Sequence, residues 1–458
     1  MKTNHSNSGH SGPSSFSRRE FIRTAGAGAA GVAALTAFPN IITRAAGDDF
    51  SIKAGLVGCG GRGSGAALNV LNAATNVIYP QAGYHTEDAV QGARATAKNI
   101  NIVSLADTFP DRLSRCREQL KKVGIGVEDK YCFTGFDAYK KLLDIGEINY
   151  VILSTPPHFR PLHLRAAIDA GKNVFIEKPC AVDATGVRSV IESGEMAKEK
   201  NLAIGAGTQR RRENSTKEII RRIHDGEIGD IASLYAEFLI GELWSVDRQP
   251  GWSDMEYQLR NWLYYNWLGG DFFTEQFIHT IDVLNWTKGS HPDKAFALGG
   301  RQVRTDPKFG NIYDHISVQY EYPDGVMAVC MHRQINGCVD RIRDVVFGTT
   351  GKAIMGYQTQ IDKKNGDSWR FRGEDNNAYE TEHEEIIQSI RSGNPVNEAQ
   401  QVAEATLTAL MGREASYSGK EITWEDMQNS KQDYSLKEYS FGNMPVPPVP
   451  MPGKYQFI

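Results

Sequence analysis

Residues 52–63 read Ile52-Lys53-Ala54-Gly55-Leu56-Val57-Gly58-Cys59-Gly60-Gly61-Arg62-Gly63. The apolar run from Ile52 to Val57 predicts a buried strand. Gly58, Gly60 and Gly63 follow it in the spacing G-x-G-x-x-G, and helical character runs from Ala66 to Leu71. Glycines spaced this way between a strand and a helix point to a dinucleotide-binding turn. The first glycine permits a tight turn, the second lets the backbone approach a pyrophosphate, and the third lets the helix pack closely on the strand. The helix N-terminus adds unpaired N–H groups and partial positive charge for the phosphates. Gly61 and Arg62 lie in the same turn and are grouped with the cofactor-binding residues. Taken alone, a plain glycine-rich turn accounts for this spacing in a chain with 45 glycines, so the rest of the chain has to carry the argument.

A length of 458 residues suggests at least two domains. With 40% hydrophobic and 23% charged residues, the composition is that of a soluble globular protein. A net charge of −4 gives no basic excess for a nucleic-acid partner. Six scattered cysteines form no C-x-x-C pair, which argues against a zinc knuckle and against a disulfide scaffold. The N-terminus reads as an address. Ser17-Arg18-Arg19-Glu20-Phe21-Ile22 matches a twin-arginine export signal, and the Ala/Gly-rich stretch Ala25 to Ala37 is too short and mild for a membrane span. Residues 1–46 are therefore set aside as a targeting segment. The protein is expected to be exported or periplasmic by way of the twin-arginine machinery, with no membrane span. That route carries folded proteins, so a nicotinamide cofactor would be loaded before export and held tightly afterwards.

From residue 47 to residue 180 the pattern is that of a doubly wound parallel α/β (Rossmann) domain. Asn69 to Asn99 reads as an insertion, with a helical patch near Ala89 to Ala97. The second strand, Ile102 to Ala106, ends at Asp107, where the adenosine ribose of a dinucleotide is bound. An aspartate there repels a 2′-phosphate and favours NAD over NADP, although Arg112 nearby keeps NADP open; a turn aspartate before Pro110 is the competing reading. A third strand, Tyr150 to Ser154, leads into Thr155-Pro156-Pro157-His158. A fourth, Asn173 to Ile176, delivers Glu177-Lys178-Pro179. Ligands of such sheets bind at the carboxyl ends of the strands, so Gly58, Asp107, Thr155 and Lys178 are expected in one crevice. Residues 181–430 read as a C-terminal α+β domain with a largely antiparallel open sheet. It includes a hairpin around Tyr322-Pro323-Asp324-Gly325 and a long helix from Phe272 to Trp286. The proline-rich tail, residues 431–458, is expected to lie extended on the surface.

Two residues stand out as candidates for proton chemistry. Lys178 sits at a strand end; partly desolvated beside a cationic nicotinamide ring, it is expected to have a lowered pKa and to act on a substrate hydroxyl, and a surface lysine before a proline turn is the competing reading. His279 follows Glu275 by four residues and precedes Asp282 by one turn, which suits a general acid/base; a structural histidine on a packed helix fits the spacing equally well. No second histidine stands at ligand spacing, so no metal is expected. Gln209, Arg210 and Arg212 follow the last strand of the first domain, either as a solvated patch or at the mouth of the crevice. Arg260 and Trp262 add the planar donor and aromatic face that sugars favour, or else form an aromatic core corner.

The glycine turn, the Thr-Pro-Pro-His strand end, the Glu-Lys-Pro motif and the Gly-Gly…His-x-x-Asp helix occur in one order. Together they resemble the glucose-fructose oxidoreductase / inositol dehydrogenase (Gfo/Idh/MocA) family over roughly residues 50–425. The resemblance implies an NAD(P)-dependent oxidoreductase of small carbohydrates or polyols, and a homo-oligomer formed through the open sheet. It assigns Lys178 and His279 as catalytic. Glu275 stands where the family commonly has aspartate, either entering the site or orienting a neighbour. Thr155, His158 and Glu177 match positions that usually touch the cofactor. One branch of the family resembles NAD-dependent glycosidases, which oxidise and re-reduce a sugar with no net redox change. The exported α-N-acetylgalactosaminidases of that branch tend to lack the motif lysine, which is present here.

Overall fold

The computed structural model describes residues 50–78 and 86–458. The twin-arginine segment, the apolar stretch after it and the insertion tip with Pro80, Gly83 and His85 lie outside the described residues.

The first sheet is parallel and has six strands: β1 (Ile52–Val57), β2 (Ile100–Asp107), β3 (Cys132–Thr134), β4 (Tyr150–Leu153), β5 (Asn173–Ile176) and β6 (Ile204–Ala206). Their spatial order is β3-β2-β1-β4-β5-β6, the doubly wound order, and it reverses between β1 and β4. Both neighbours of β1 are strands, so a continuous apolar run suits it. Helices α1 (Gly61–Val70), α2 (Pro110–Lys122), α3 (Ala138–Leu143), α4 (Arg160–Asp169) and α5 (Ala184–Glu199) provide the crossovers. The register brings the strand ends level. Val57 pairs with Ala106 and with Leu153, Leu153 with Ile176, and Ile176 with Ala206. Gly58, Asp107, Thr155 and Lys178 thus emerge along one edge, as their positions in the sequence require.

Two expectations change. β6 pairs with β5, so the parallel sheet runs past residue 180. The insertion forms a short antiparallel hairpin, Thr75–Val77 with Glu87–Ala89, and residues 90–99 are not helical. The backbone N–H groups of Thr96 and Ala97 donate instead to the carbonyl of Leu71.

Among the described residues the second sheet has nine strands, the last of them the short Ile422–Thr423 at its edge beside Lys294–Gly300, and it is antiparallel except where two neighbours run parallel. After α6 (Asn214–His224) come β7 (Ile231–Ile240), α7 (Asp254–Arg260) and a π-helical turn, Phe273–Phe277, that continues into α8 (Ile278–Lys288). The long helix expected over this stretch therefore begins with a π turn, a feature frequent at functional sites. Then follow β8 (Lys294–Gly300), β9 (His315–Glu321), β10 (Met327–Gln334), β11 (Arg341–Gly348), β12 (Gly351–Gly356), β13 (Gln360–Lys363) and β14 (Ser368–Arg370). β9 and β10 form the expected hairpin, turning at Gly325 with φ +80°. The chain then returns to the first domain. Helix α9 (Ala378–Arg391) packs on α1 and β6, and α10 (Ala399–Ser418) packs on α5 and β8. Residues 444–452 carry neither helix nor strand. The flanking tail residues are anchored, because Phe441 packs on Phe109 and Phe136, and Tyr439 packs on Phe159.

Candidate functional site

A crevice of about 690 Å³ opens along the carboxyl edge of the first sheet and is closed on its other side by residues of the second domain. The glycine turn forms one end, and each glycine has a distinct physical reason. Gly58 has φ +96°, and a Cβ there would lie 2.7 Å from the backbone of Ser154 and Thr155. A Cβ on Gly63 would lie 1.8 Å from the carbonyl oxygen of Gly58, so only glycine allows α1 to sit this close to β1. A Cβ on Gly60 would meet nothing within 4 Å. Gly60 therefore faces the open crevice, and no packing demand explains its lack of a side chain. No side chain caps α1 and its first turn carries no acidic residue, which leaves the end suited to an anion. These features fit a dinucleotide pyrophosphate.

Asp107 ends β2 at the crevice, and both of its carboxylate oxygens accept backbone N–H groups. Oδ1 accepts from the Phe109 N–H at 2.8 Å, the turn aspartate of the competing reading. Oδ2 accepts from the Cys59 N–H at 2.6 Å, which ties β2 to the glycine turn. Burial raises its pKa, against the opposing charge of Arg112. Arg112 and Arg115 line the same end of the crevice.

At the other end, the side chains of Lys178 and Glu275 meet across the two domains. Lys178 Nζ donates to the backbone carbonyl of Glu275 at 2.8 Å and to its Oε1 at 3.0 Å. His279 lies in the lining of the same crevice, half-buried on the first turn of α8. Two arginines that carry no signal in the sequence hold this meeting in place. Arg160 donates to the carbonyls of Thr155 (2.9 Å) and Pro179 (2.6 Å), joining two strand-end loops. Arg413, fully buried on α10, donates to the carbonyls of Val182 (2.8 Å) and Gly270 (3.2 Å). The loop after Lys178 and the loop before Glu275 are thereby pinned to one guanidinium.

Glu177 and Arg62 form an ion pair at 3.0 Å on the crevice wall, with the Arg62 guanidinium over the Tyr379 ring. Thr155 also lines the crevice, its hydroxyl held to His163 Nδ1 at 3.2 Å. Gln209, Arg210, Arg260 and Trp262 all line it. The Arg260 guanidinium is already engaged, by Asp111 at 2.9 and 3.0 Å and by Glu256 at 2.9 Å.

Four candidates lie away from the crevice lining, one of them Gly63, whose demand is the packing of α1 on β1. Arg212 is buried and pairs with Glu398 and with Glu385, the latter at 3.2 Å. Asp282 accepts from Arg211 at 2.8 and 3.0 Å and from Gln401 at 2.7 Å. His158 hydrogen bonds to Tyr439 at 2.8 Å and packs against Phe159 and Trp267, and burial pushes its pKa down to about 4. Residues that the sequence reading did not single out complete the walls: Trp244, Gln276, Arg343, Asp344 and Tyr379. Neither Gln276 nor Asp344 stands out in the sequence, because Gln276 follows Thr274-Glu275 and Asp344 follows Arg343.

The sequence matches two family descriptions in succession. "Oxidoreductase family, NAD-binding Rossmann fold" spans residues 52–208, and "GFO/IDH/MocA C-terminal domain" spans residues 216–354. The 2,7-anhydro-N-acetylneuraminate hydratase of Escherichia coli is 26% identical over 226 residues, covering 46% of this chain and 56% of the relative. The chain thus spans little more than half the length of that relative. Glycosyl hydrolase family 109 protein 2 of a Shewanella species is 23% identical over 344 residues, 71% of this chain and 68% of the relative. The crystal structure of aldose-aldose oxidoreductase from Caulobacter crescentus complexed with glycerol superposes with a TM-score of 0.62 at 17% identity. It covers 82% of this chain and 100% of its own. At that identity the likeness speaks to the fold.

Proposed function

We propose a function from one premise: the chain belongs to the GFO/IDH/MocA oxidoreductase family, with an NAD-binding Rossmann domain. It is an exported NAD-dependent oxidoreductase that passes hydride between a carbon of a sugar, polyol or glycoside and the nicotinamide. The observation that carries this reading is one crevice lined both by the open face of Gly60 and by the Lys178–Glu275 pair with His279.

Bound nicotinamide would accept or return the hydride. The protein's part is to hold the substrate hydroxyl and move its proton. An ammonium has three N–H donors, and Lys178 spends two of them on Glu275. The third is directed to the substrate oxygen and polarises it. His279, on the same wall, takes the hydroxyl proton as the carbon is oxidised and returns it on reduction. Glu275 is then a positioning residue that fixes the lysine. Gly58, Gly60, Gly61, Arg62, Gly63, Asp107, Thr155 and Glu177 hold the dinucleotide. The Asp107 carboxylate at the ribose end favours NAD over NADP. Gln209, Arg210 and Trp262 contribute to the sugar wall. Arg212, Asp282 and His158 are left out of the site because their polar atoms are engaged elsewhere.

A second reading is favoured by the names of two relatives, a hydratase and a glycosyl hydrolase. On that reading the same cofactor is reduced and reoxidised within one cycle, and the net reaction is elimination or hydrolysis. Export by the twin-arginine route makes exchange of free cofactor difficult and supports a retained NAD in either case. One experiment separates the two. The purified protein is denatured to identify its bound nucleotide, and the native protein is then offered a panel of sugars, cyclitols and aryl glycosides. Stoichiometric NADH from an added sugar supports the oxidoreductase; aglycone release without net NADH supports the redox-neutral cycle. A protein that binds no nicotinamide nucleotide refutes both. Replacing both Arg18 and Arg19 by Lys should abolish export, and unchanged export would refute the address.

A further inference from the structure

Gln276, the residue after Glu275, is oriented by a series of hydrogen bonds that starts in the core. Arg304 is 1% exposed, and a guanidinium can only donate. Its Nη1 donates to Gln334 Oε1 at 2.5 Å and its Nη2 to the carbonyl of Tyr313 at 2.5 Å. Gln334 must therefore turn its oxygen to Arg304 and its amide N–H to its other neighbour, Gln276 Oε1, at 2.8 Å. The same oxygen meets His332 Nε2 at 2.9 Å. Burial, with the charge of Arg304 beside it, holds the His332 pKa well below its ordinary value, so the ring is neutral. Its one N–H must then be on Nε2, because Gln276 Oε1 can only accept. Turning the Gln276 amide over would set N–H against N–H. Its Nε2 is thus left as a donor of fixed polarity. Gln276 is 2% exposed and lines the crevice, and this Nε2 has no partner among the described residues.

The cations along this wall are already matched. Lys178 pairs with Glu275 at 3.0 Å, Arg210 with Asp344 at 2.6 Å, Arg343 with Glu237 at 2.7 Å and Arg260 with Asp111 at 2.9 Å. Asp344, 1% exposed, gives Oδ2 to Arg210 and keeps Oδ1 as an acceptor without a partner among the described residues. A buried donor and a buried acceptor lining one crevice are each costly unless a ligand meets them.

We propose that Gln276 and Asp344 are specificity-determining residues that read the hydroxyl groups of an uncharged polyhydroxyl substrate. Gln276 Nε2 donates to one substrate oxygen and Asp344 Oδ1 accepts from another hydroxyl. A carboxylate on the substrate would find these four cations already paired with carboxylates and would meet the negative charge of Asp344. The inference rests on the carbohydrate reading above and narrows it to neutral sugars and polyols. A site built to hydrogen bond a hydroxyl discriminates strongly, because an analogue lacking it leaves the protein group unpaired.

Two substitutions test it. Gln276→Glu keeps the acceptor for Gln334 and His332 and nearly the same shape, but removes the donor. Gln334→Glu lies behind the wall: it still accepts from Arg304, can no longer donate to Gln276, and so lets the Gln276 amide turn over. The NAD-loaded wild type is first assayed on neutral aldoses, cyclitols and the matching uronates. Neutral compounds should be preferred. Each variant should then raise the KM for the best neutral compound about tenfold, with a smaller change in kcat and with NAD retention unchanged in the folded variant. A preference for uronates overturns the proposal, and so does a KM within twofold of wild type in both folded variants. A wild type inert on the whole panel is a different failure, seen before any variant is made: it refutes the carbohydrate reading and this inference with it.

Discussion

Gly60→Ala should separate folding from cofactor binding. Gly60 has φ −69° and ψ −174°, extended backbone that alanine adopts without strain. The new Cβ would meet nothing within 4 Å. Replacing glycine by alanine at an unstrained position reduces the freedom of the unfolded chain and stabilises by about 0.4–1 kcal/mol. The apo protein should therefore melt at the same temperature as wild type or up to ~2 °C higher. The same methyl occupies the face that the pyrophosphate must approach. Forcing an extra methyl into a close contact costs about 1–3 kcal/mol, so NAD should bind ~10–100-fold more weakly. The paired control is Gly63→Ala, whose Cβ would lie 1.8 Å from a backbone oxygen. It should destabilise the apo protein itself, by about 3 kcal/mol or more. Thermal melts without nucleotide and titration calorimetry with NAD measure both quantities. If Gly60→Ala binds NAD as wild type does, or if its apo protein melts as low as Gly63→Ala, the assignment of roles within the turn is refuted.

Lys178→Ala should leave NAD bound and slow single-turnover hydride transfer by roughly 10²–10⁴-fold; reduction of bound NAD at the wild-type rate would remove Lys178 from the chemistry. Arg212→Met should act on stability alone, because it leaves Glu398 partly buried beside an apolar side chain: a loss of about 3 kcal/mol in denaturant unfolding is expected, with KM unchanged, and a KM effect in the folded variant would return Arg212 to the site. Burial holds His158 at about 4, against 6.5 when exposed. The unfolded chain therefore binds more protons in this window, and the stability conferred by a neutral His158 is complete above pH 6.5 and lost as the pH falls toward 4. The full loss is about 3 kcal/mol, and His158→Phe should make the stability profile between pH 6.5 and 4 less steep by that amount. An equally steep profile in that variant would assign the acid sensitivity to His163 and His383, which burial also holds low.

The parts of the site that could be read from sequence are those fixed by local chemistry. A strand, a glycine turn and a helix occupy neighbouring residues, and the level ends of parallel strands follow from the topology, so the edge carrying Gly58, Asp107, Thr155 and Lys178 could be foreseen. Where a long polar side chain points is decided by partners far along the chain. Arg212 turns from the crevice because Glu398, 186 residues away, meets it. His158 is withdrawn by Tyr439 of the tail, 281 residues away. The π turn at Phe273–Phe277 has no mark in the pattern of apolar residues. Gln276 and Asp344 follow other polar residues, Glu275 and Arg343, and carry no mark in the pattern; their polarity toward the crevice depends on Arg304 and Arg210, which no spacing predicts.

The same contrast explains how two domains make one site. Lys178 comes from the first domain and Glu275 from the second, and the contact between them closes at 3.0 Å. Arg413 stands behind both loops, 2.6 Å from Glu414, and donates to Gln432 at 2.9 Å as well as to the carbonyls of Val182 and Gly270. A buried ion pair is a poor source of stability, because the cost of desolvation offsets its attraction; a fixed register is its best-attested benefit. In this fold the register held is the separation of the lysine loop from the histidine helix. Helix α10 packs on α5 of the first domain and on β8 of the second, so that separation rests on a buried element common to both domains. On the proposed function, such a site would have its proton-transfer groups assembled before a substrate arrives, leaving the substrate's binding energy for orientation at the reacting carbon.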